Sequence, residues 1–360
     1  MARIVEVRRP ASVLSVVTQH RRRQMNGSSL TMHTLRRRFV ALTAVSTAFA
    51  FVLAGCSASP TAEETTAAPA NIEVQDNHGV QTIAIPPKSV VATDNRVFQT
   101  LADWGVTLKA APVDLIPAGN PYKTDSSIVN LGSHNEPDLE AVVAVEPDLI
   151  INGQRFASRY EELKTLAPDA AIIELDPRDG EPFDEELKRQ VEVLGKVFGH
   201  EEDAQRLIDD FDASIERVKK AYDSSDTVMA VITSGGEINY AAPGTGRTLG
   251  PVFEILDLTP ALTADGSSDH QGDDISVEAI AASNPDWILV MDRDAAVSAN
   301  STDGSYTPAN ELLAGSAALK NVTAVQQGNI VYMPQFTYVN EGIQTYTAFF
   351  TSLAEQLEKS

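Results

Sequence analysis

Two blocks of the chain alternate short apolar runs with amphipathic runs, and a long amphipathic segment lies between them. In the first block, an alternating pattern over 71–86 predicts a hairpin, the apolar run 148–152 predicts a buried strand, and 139–145 has helical spacing. The second block repeats the alternation, with a strand predicted over 287–291 and a helix over 342–358. Strands that alternate with helices are typical of parallel sheets, whose ligand sites lie at the carboxyl ends of the strands.

The segment between the blocks, His200 to Asp223, has a regular helical pattern. Its apolar face is formed by Ala204, Leu207, Ile208, Phe211, Ile215, Val218 and Tyr222. Acidic residues fill the first turn and basic residues the last turns, which complements the helix dipole. A shorter helix is predicted just before it, over 183–198. The long segment is either a stiff connector between two lobes or an ordinary helix packed on one sheet.

An internal repeat favours the connector. The stretch Glu140–Arg155 aligns without gaps on Glu278–Arg293, at a constant offset of 138 positions (278 − 140). Each copy is a helix, a Pro-Asp turn, a buried strand and an arginine just past the strand end. We therefore predict an α/β fold of two Rossmann-like lobes with parallel sheets, joined by one long rigid helix, with a cleft that meets one ligand from both sides.

The N-terminal region has the pattern of an export signal. Three consecutive arginines, 36–38, precede the uncharged run Phe39–Gly55, which ends in Leu-Ala-Gly before Cys56. This ending matches the bacterial lipobox, in which the cysteine is lipidated and becomes the mature N-terminus. The alternative is a transmembrane helix with a buried cysteine, although the run is at the short limit for a span. Met32 is an alternative start that gives a signal of ordinary length.

These patterns divide the chain into five parts. They are a signal peptide (1–55), the lipidated cysteine with a flexible tether (56–71), an N-terminal lobe (72–180), connector helices (181–225) and a C-terminal lobe (226–360).

The net charge of the chain excludes one class of binding partner. Of 28 basic and 50 acidic residues, nine basic and one acidic residue lie in 1–55, so the remainder carries 19 basic and 49 acidic residues, a net charge of −30. Such a surface repels nucleic acid, and nucleic-acid binding is not expected. Because Cys56 is the single cysteine, an intrachain disulfide and a cysteine metal cluster are excluded.

Three arginines in this acidic chain stand in loops that follow strands or are rich in glycine: Arg155, Arg247 and Arg293. Arginine stays charged and presents a rigid fork of donors to oxygen ligands. The trio therefore predicts a pocket for an anionic ligand. Asp292 and Asp294 flank Arg293. Two roles are open for these aspartates: to hold the guanidinium of Arg293 in place, or to offset its charge.

Other motifs argue against catalysis and against a protein-held metal. The loop 242–248 lacks the lysine and the spacing of a P-loop, and no G-x-S-x-G elbow surrounds Ser234, which we interpret as a turn residue. The histidines show no H-x-H or H-E-x-x-H spacing, so a zinc or manganese site is not predicted. His270, in a polar loop, is either a cleft residue or a solvated loop residue; we place it near the cleft.

Together these features resemble the ferric-siderophore substrate-binding lipoproteins of ABC importers, in the subgroup that takes catecholate and related siderophores. The resemblance covers about residues 72–358, and its most specific piece is NPDWILVMDRDAAV, residues 284–297. It implies a class III periplasmic-binding-protein architecture, a monomer and no intrinsic cofactor.

In that subgroup three arginines bind the anionic ferric complex, and the matching positions here are Arg155, Arg247 and Arg293. A histidine and a tyrosine coordinate iron directly when the siderophore leaves sites open, which implies His270 and Tyr338 as iron ligands.

The chain departs from the family pattern at two places. The first lobe has Gly153-Gln154-Arg155 where the family usually has Gly-Arg-Gln, so the expected arginine stands one position later. The histidine that the family follows with Gly-Gln is followed here by Gln271 and Gly272.

The resemblance also implies a docking role for one glutamate in each lobe. The matching positions are Glu140 and Glu278, near the starts of equivalent helices, and Glu136 is the nearest competitor in the first lobe. The alternative is a purely structural role, because a carboxylate near a helix N-terminus is favoured by the helix dipole.

The implied function is that of an extracytoplasmic binding protein, held at the cell membrane by a lipid. It captures an anionic ferric siderophore, of catecholate or mixed type, and delivers it to an ABC permease with its cytoplasmic ATPase. Ferric iron arrives as part of the siderophore complex. One alternative is a lipoprotein that binds haem or a corrinoid. Another is a secreted siderophore hydrolase, which the sequence disfavours because it assembles no activated nucleophile.

Overall fold

The computed structural model of the protein describes residues 70–298 and 306–360, all within one compact unit, Thr65–Ser360. The described chain begins with an antiparallel hairpin of β1 (Ala70–Asp76) and β2 (Gly79–Ile85). Gly79 adopts a φ of 119° next to its turn, a conformation that glycine reaches without a steric penalty.

The first lobe is built on a parallel five-stranded sheet. Its strands are β3 (Val90–Ala92), β4 (Leu108–Ala111), β5 (Val129–Asn130), β6 (Leu149–Asn152) and β7 (Ala171–Glu174). The helices that follow its strands are α1 (Phe98–Asp103), α2 (Leu139–Ala144) and α3 (Tyr160–Leu166). The strand order is β5-β4-β3-β6-β7, so the direction of winding reverses between β3 and β6. Val90 and Ala92 pack into one core cluster and Val91 into another, because both faces of the sheet are covered.

Two consecutive helices, α4 (Phe183–Phe198) and α5 (Glu201–Ala221), lead to the second lobe. The strands of that lobe are β8 (Thr227–Ser234), β9 (Glu237–Tyr240), β10 (Thr259–Pro260), β11 (Trp287–Asp292) and β12 (Ile330–Tyr332). Its helices are α6 (Gly250–Ile255), α7 (Val277–Ser283), α8 (Arg293–Ser298), α9 (Ala309–Gly315), α10 (Thr323–Gln327) and α11 (Ile343–Leu357). Four parallel strands take the order β10-β8-β11-β12, and β9 pairs antiparallel with β8.

The α/β fold of two lobes joined by one helix is confirmed, but the joining helix is not the predicted segment, His200 to Asp223. Leu187 and Val191 of α4 belong to the core cluster of the second lobe, whereas Leu194 and Val197 belong to that of the first lobe. The apolar face of α5 packs into the second lobe and against α11. Gly199, with a φ of 71°, ends α4 and lets the chain turn back. The helix that bridges the two cores is therefore α4 rather than α5.

The repeated Pro-Asp units have the same local structure in both lobes. The carboxylate of Asp148 accepts a hydrogen bond from the backbone N–H of Ser89 at 2.9 Å, and that of Asp286 accepts one from Thr227 at 2.8 Å. Ser89 and Thr227 are themselves 138 positions apart (227 − 89). In each lobe the aspartate before one strand thus anchors the start of the neighbouring central strand.

Candidate functional site

The candidate site lies where the two sheets reverse their winding. In the first lobe this point is between β3 and β6, and Arg155 follows β6. In the second lobe it is between β8 and β11, and Arg293 directly follows β11. Ligands bind outside the carboxyl ends of strands at such points because the loops on either side diverge and leave a crevice. Each lobe therefore presents an arginine at its own crevice.

The predicted arginines converge on the ring of Tyr338. The Cζ atoms of Arg155, Arg247 and Arg293 lie 4.7, 5.2 and 4.8 Å from the ring centroid. A guanidinium within about 6 Å of an aromatic centroid is attracted by the ring face. Tyr338 is 6 % exposed and lies in the short helical turn Thr337–Val339. Four separate segments of the chain thus meet at one aromatic side chain.

The arginines change the acidity of Tyr338. Burial alone would raise the pKa of its phenol, but the positive charges of Arg155, Arg293 and Arg247, with a hydrogen bond from Arg155, hold that pKa below its ordinary value. Because a metal ligand must be deprotonated, this arrangement favours the form of Tyr338 that can bind a ferric ion.

The first-lobe arginine is the one whose charge is not balanced by a carboxylate. Arg155 donates from Nη2 to the backbone oxygen of Tyr338 at 3.2 Å, and within residues 70–298 and 306–360 it forms no ion pair. Arg247 pairs with Glu341, and Arg293 pairs with Asp294. Three cations against two carboxylates leave the site net positive in an acidic chain, which is the electrostatic pattern of an anion site.

The two aspartates beside Arg293 have different roles. Asp294 accepts a hydrogen bond from Arg293 Nη1 at 3.1 Å and another from the backbone N–H of Gly235 at 2.6 Å. Asp292 instead accepts from the Tyr306 hydroxyl at 2.7 Å and from the backbone N–H of Ala309. Asp294 therefore orients the guanidinium, whereas Asp292 fastens the start of α9.

Two histidines border the arginine cluster. The ring centroid of His270 lies 6.5 Å from that of Tyr338, and its side chain is 46 % exposed. The structure thus places it at the cleft. His134, to which the sequence analysis gave no role, is a neighbour of Arg155: burial and that positive charge lower the pKa of its imidazole.

A layer of buried and half-buried polar residues beneath the cluster, called the buried layer below, was not predicted from the sequence. Glu341, 3 % exposed, accepts hydrogen bonds from Arg247 at 3.0 Å, from Gln154 at 2.6 Å and from the hydroxyl of Thr248. Burial would raise the pKa of Glu341, but the charges of Arg247 and Arg96 and the hydrogen bonds from Thr248 and Arg247 hold that pKa below its ordinary value. Gln154 belongs to the first lobe, so Glu341 ties the two lobes together while it orients Arg247.

The first-lobe side of this layer consists of an arginine between two aspartates. Arg96 donates from Nη1 to Asp176 at 2.9 Å, and its backbone N–H donates to Asp94 at 2.8 Å. Gln190 of α4 donates to the other oxygen of Asp94 at 3.0 Å. Burial and the charge of Asp176 raise the pKa of Asp94 to about 7, against opposing effects of Arg96 and Gln190. The native protein therefore holds this proton under conditions in which the unfolded chain has lost it.

This shift predicts a pH-dependent term in stability. Between pH 3.8, the ordinary pKa, and about pH 7, the native state binds more protons at Asp94 than the unfolded state does. The free energy of unfolding should therefore fall as pH rises through this range, by at most about 4 kcal/mol from this group. Asp94→Asn should flatten the profile measured by urea denaturation at several pH values, whereas Asp210→Asn on an exposed face of α5 should not. An unchanged slope in Asp94→Asn would contradict this assignment.

The two glutamates expected to dock on a permease are exposed and equivalent. Glu140 and Glu278 lie in the first turns of α2 and α7. Asp138 and Ser276 cap these helices, each accepting a hydrogen bond from the backbone N–H three residues later. Helix initiation therefore has its own caps and does not depend on the glutamates.

Some predictions concern residues that the structure does not describe. Cys56, the signal peptide 1–55 and the tether up to residue 69 lie outside the described residues. Within the described part, no helix has the length and apolar character needed to cross a bilayer. That part also contains no group of three or more His, Cys, Asp or Glu side chains arranged to hold a metal ion.

Comparison with known proteins identifies related chains. Residues 90–336 match the periplasmic binding protein family. The petrobactin-binding protein YclQ of Bacillus subtilis is 27 % identical over 278 residues, which cover 76 % of this chain and 83 % of that protein. The ferric-anguibactin-binding protein FatB of Vibrio anguillarum is 29 % identical over 253 residues, covering 69 % and 77 %.

Solved structures agree with this match. The crystal structure of YclQ superposes with a TM-score of 0.68 at 25 % identity, covering 81 % of this chain and 100 % of that one. The catecholate-siderophore binding protein VctP of Vibrio cholerae has the same fold, with a TM-score of 0.69 at 24 % identity over 79 % of this chain and 99 % of that one.

Proposed function

The chain belongs to the periplasmic binding protein family, and from this premise we propose that it captures an anionic ferric siderophore, of catecholate or mixed type, between its two lobes. In this proposal it acts as a monomer outside the cytoplasmic membrane, is held there by a lipid on Cys56, and delivers the complex to an ABC permease with its cytoplasmic ATPase. It binds and releases its ligand without chemical conversion.

The observation that carries the proposal is the arrangement of Arg155, Arg247 and Arg293 around Tyr338. A ferric tris-catecholate carries three negative charges and presents oxygen atoms and aromatic edges on its surface. Three guanidinium groups supply positive charge and hydrogen-bond donors at one place, which suits the oxygen atoms of such a complex. The relatives YclQ and FatB are named for binding petrobactin and ferric anguibactin, which supports a siderophore as the ligand.

The local charge is sufficient to overcome the acidity of the rest of the chain. At an effective dielectric constant of about 20, two unit charges about 4 Å apart attract by roughly 4 kcal/mol before desolvation. The acidic surface acts from farther away, and salt at 0.15 M screens charges beyond about 8 Å. An anionic complex that reaches the cleft is therefore governed by the arginines.

Titration with a small set of ferric complexes tests the proposal. Binding of ferric tris-catecholate, followed by the fluorescence of Trp104 and Trp287 or by calorimetry, is the expected result. A haem-binding protein would instead develop a Soret band with haemin, and a siderophore hydrolase would release catechol fragments with time. Either of these outcomes, without binding of the ferric complex, would overturn the proposal.

Lipid anchoring has a separate test. The run before Cys56 and its Leu-Ala-Gly-Cys ending predict lipidation at that cysteine. In cells fed a clickable fatty acid, the wild-type protein should be labelled and processed, and Cys56→Ala should remain an unlabelled precursor. Ser57→Ala is the matched control and should be labelled normally. Labelling of the Cys56→Ala variant would exclude this site.

Direct iron coordination by Tyr338 and His270 also makes a specific prediction. A ferric complex that leaves coordination sites open should bind with a visible charge-transfer band from phenolate to iron, and Tyr338→Phe should remove that band. His270→Ala should weaken the same complex, because an imidazole ligand is lost. Neither variant should much alter the affinity for a ferric complex whose six sites are filled. Retention of the band in Tyr338→Phe would exclude ligation by this tyrosine.

A further inference from the structure

A pocket of about 430 Å³ lies beside the arginine cluster. Arg155 and Arg247 line it, as do Arg96, Gln154 and Glu341 of the buried layer. Tyr338, Arg293 and His270 do not line it. Two of the three cluster arginines therefore border two spaces: one at the Tyr338 ring and one in this pocket.

The pocket is rich in hydrogen-bonding atoms that the protein leaves unused. Among the described residues, the Nε atoms of Arg96, Arg155 and Arg247 are buried and have no hydrogen-bond partner, and the same holds for Oε1 of Gln154. All four residues line this one pocket. Buried polar groups are nearly always paired, and an unpaired donor on a charged group is costly. The three Nε donors therefore lack an acceptor and Oε1 of Gln154 lacks a donor, so the polar lining of the pocket is not satisfied within the described residues.

The charges of the lining select the kind of occupant. The two carboxylates, Asp176 and Glu341, already accept hydrogen bonds from lining residues, Asp176 from Arg96 and Glu341 from Arg247 and Gln154. Three permanent cations against two engaged carboxylates leave one positive charge, that of Arg155, which this pocket shares with the Tyr338 site. A carboxylate fits this set, because a guanidinium presents its N–H groups as a fork that matches two oxygens.

The walls of the pocket indicate that the carboxylate is carried on an organic group. Pro177, Phe183, Pro251 and Tyr346 form the apolar and aromatic part of the lining. Apolar and aromatic surfaces of this kind pack against carbon, while a few polar groups fix the orientation. The pocket adjoins the Tyr338 site through two shared arginines, so one ligand molecule can occupy both.

We infer that this pocket is a second subsite, which binds a free carboxylate of the siderophore that does not take part in holding the iron. The inference rests on the proposed function and refines it: the preferred ligand is a ferric siderophore with a carboxylate-bearing arm. Arg96 is then a specificity-determining residue, because it lines the subsite without approaching the Tyr338 ring.

A matched pair of probes tests the subsite. The ferric complexes of 4-ethylcatechol and 3,4-dihydroxyphenylacetate hold iron through the same two oxygens per ligand and differ by a methyl group in place of a carboxylate. At 0.15 M salt, the wild-type protein should bind the carboxylate-bearing complex about tenfold or more tightly than the other. Arg96→Gln should remove most of this preference, whereas Arg206→Gln, an exposed arginine on α5, should retain it.

Ser268 offers a test that does not disturb the buried layer, because it lines the pocket and is exposed. Ser268→Glu places a negative charge at the pocket and Ser268→Gln adds the same bulk without charge. The preference for the carboxylate-bearing complex should be several-fold lower in the Glu variant than in the Gln variant. If thermal denaturation shows that Arg96→Gln is unstable, the comparison of Ser268→Glu with Ser268→Gln is sufficient to test the subsite.

The outcomes separate this inference from the proposed function. If both complexes bind equally well, or if Arg96→Gln weakens both equally while the Ser268 variants do not differ, the pocket holds water and the subsite is wrong, although siderophore binding stands. If neither complex binds to the wild-type protein, the proposed function fails and the subsite fails with it.

Discussion

Replacing Arg293 with alanine should weaken the binding of a ferric tris-catecholate about ten- to a hundredfold. A hydrogen bond to a charged group contributes about 1.5–3 kcal/mol, and about 1.4 kcal/mol corresponds to one decade in Kd. Arg293 is a better choice than Arg247 because its partner Asp294 is 25 % exposed and water can replace the lost contact. Arg247→Ala would instead leave Glu341 buried without its cation, which would mix a loss of stability with a loss of binding.

Calorimetric titration measures this change in affinity. Three controls distinguish a loss of charge recognition from a loss of folding. Arg293→Lys keeps the charge but not the planar fork, so its affinity should fall between those of the wild type and the alanine variant. Arg206→Ala removes the same charge from an exposed position on α5 and should bind normally. The affinity for a neutral ferric hydroxamate should fall much less in Arg293→Ala than the affinity for the ferric catecholate does. An equal loss for both ligands would mean that Arg293 supports the fold rather than the recognition of charge.

Replacing Glu140 and Glu278 together with alanine should abolish iron uptake in cells and leave ferric-siderophore affinity nearly unchanged. Both carboxylates are exposed at equivalent helix starts, and Asp138 and Ser276 cap those helices independently. Losing a carboxylate near a helix N-terminus costs about 0.3–1 kcal/mol, which is too little to unfold a domain of this size. The expected effect is therefore confined to the transfer of the ferric siderophore to the permease, in which each glutamate would contact a basic pocket of the permease.

The measurement is uptake of a radiolabelled ferric siderophore by cells that carry the variant as their sole binding protein. Glu161→Ala combined with Glu216→Ala removes two exposed glutamates from other helices, α3 and α5, and should leave uptake normal. Glu136→Ala tests the competing position in the first lobe. Normal uptake in the Glu140 and Glu278 double variant would exclude docking through these residues, and a loss of affinity or melting temperature would assign them to the fold.

Local periodicity was sufficient to predict the longer elements. The buried strands β6 and β11 and the helices α5 and α11 match their predicted ranges to within two residues at each end. Apolar alternation does not identify the two-residue strands β5 and β10. Their backbone pairs with a neighbouring strand that other residues position, so the information lies in the neighbour rather than in the short segment itself.

Which helix joins the lobes also depended on contacts between distant segments. The pattern of α5 is regular and suggested the connector, but a helical pattern shows that a face is buried and not what buries it. In the structure α5 packs into the second lobe, and α4 has Leu187 in one core and Leu194 in the other. The two-lobed plan was still predictable because the Pro-Asp repeat is visible in the sequence itself.

The sequence alone was sufficient to predict the residue types of the candidate site. It also predicted their places, because an arginine that follows a buried strand lies in a loop at the carboxyl end of that strand. The resemblance added Tyr338 and His270. The tertiary structure specified that the arginines share one aromatic ring, and that Gln154, with a φ of 49°, donates to Glu341 while Arg155 approaches Tyr338.

The buried layer beneath the site was beyond prediction for a physical reason. Its pairs join Arg96 to Asp176, Arg247 to Glu341 and Gln154 to Glu341, across separations of 80, 94 and 187 residues. A charge on its own looks like a solvated surface residue, and it becomes a buried structural residue only when a partner of opposite sign arrives from elsewhere in the fold. Periodicity is local and therefore readable along the chain, whereas charge pairing is long-range and exists only once the chain has folded.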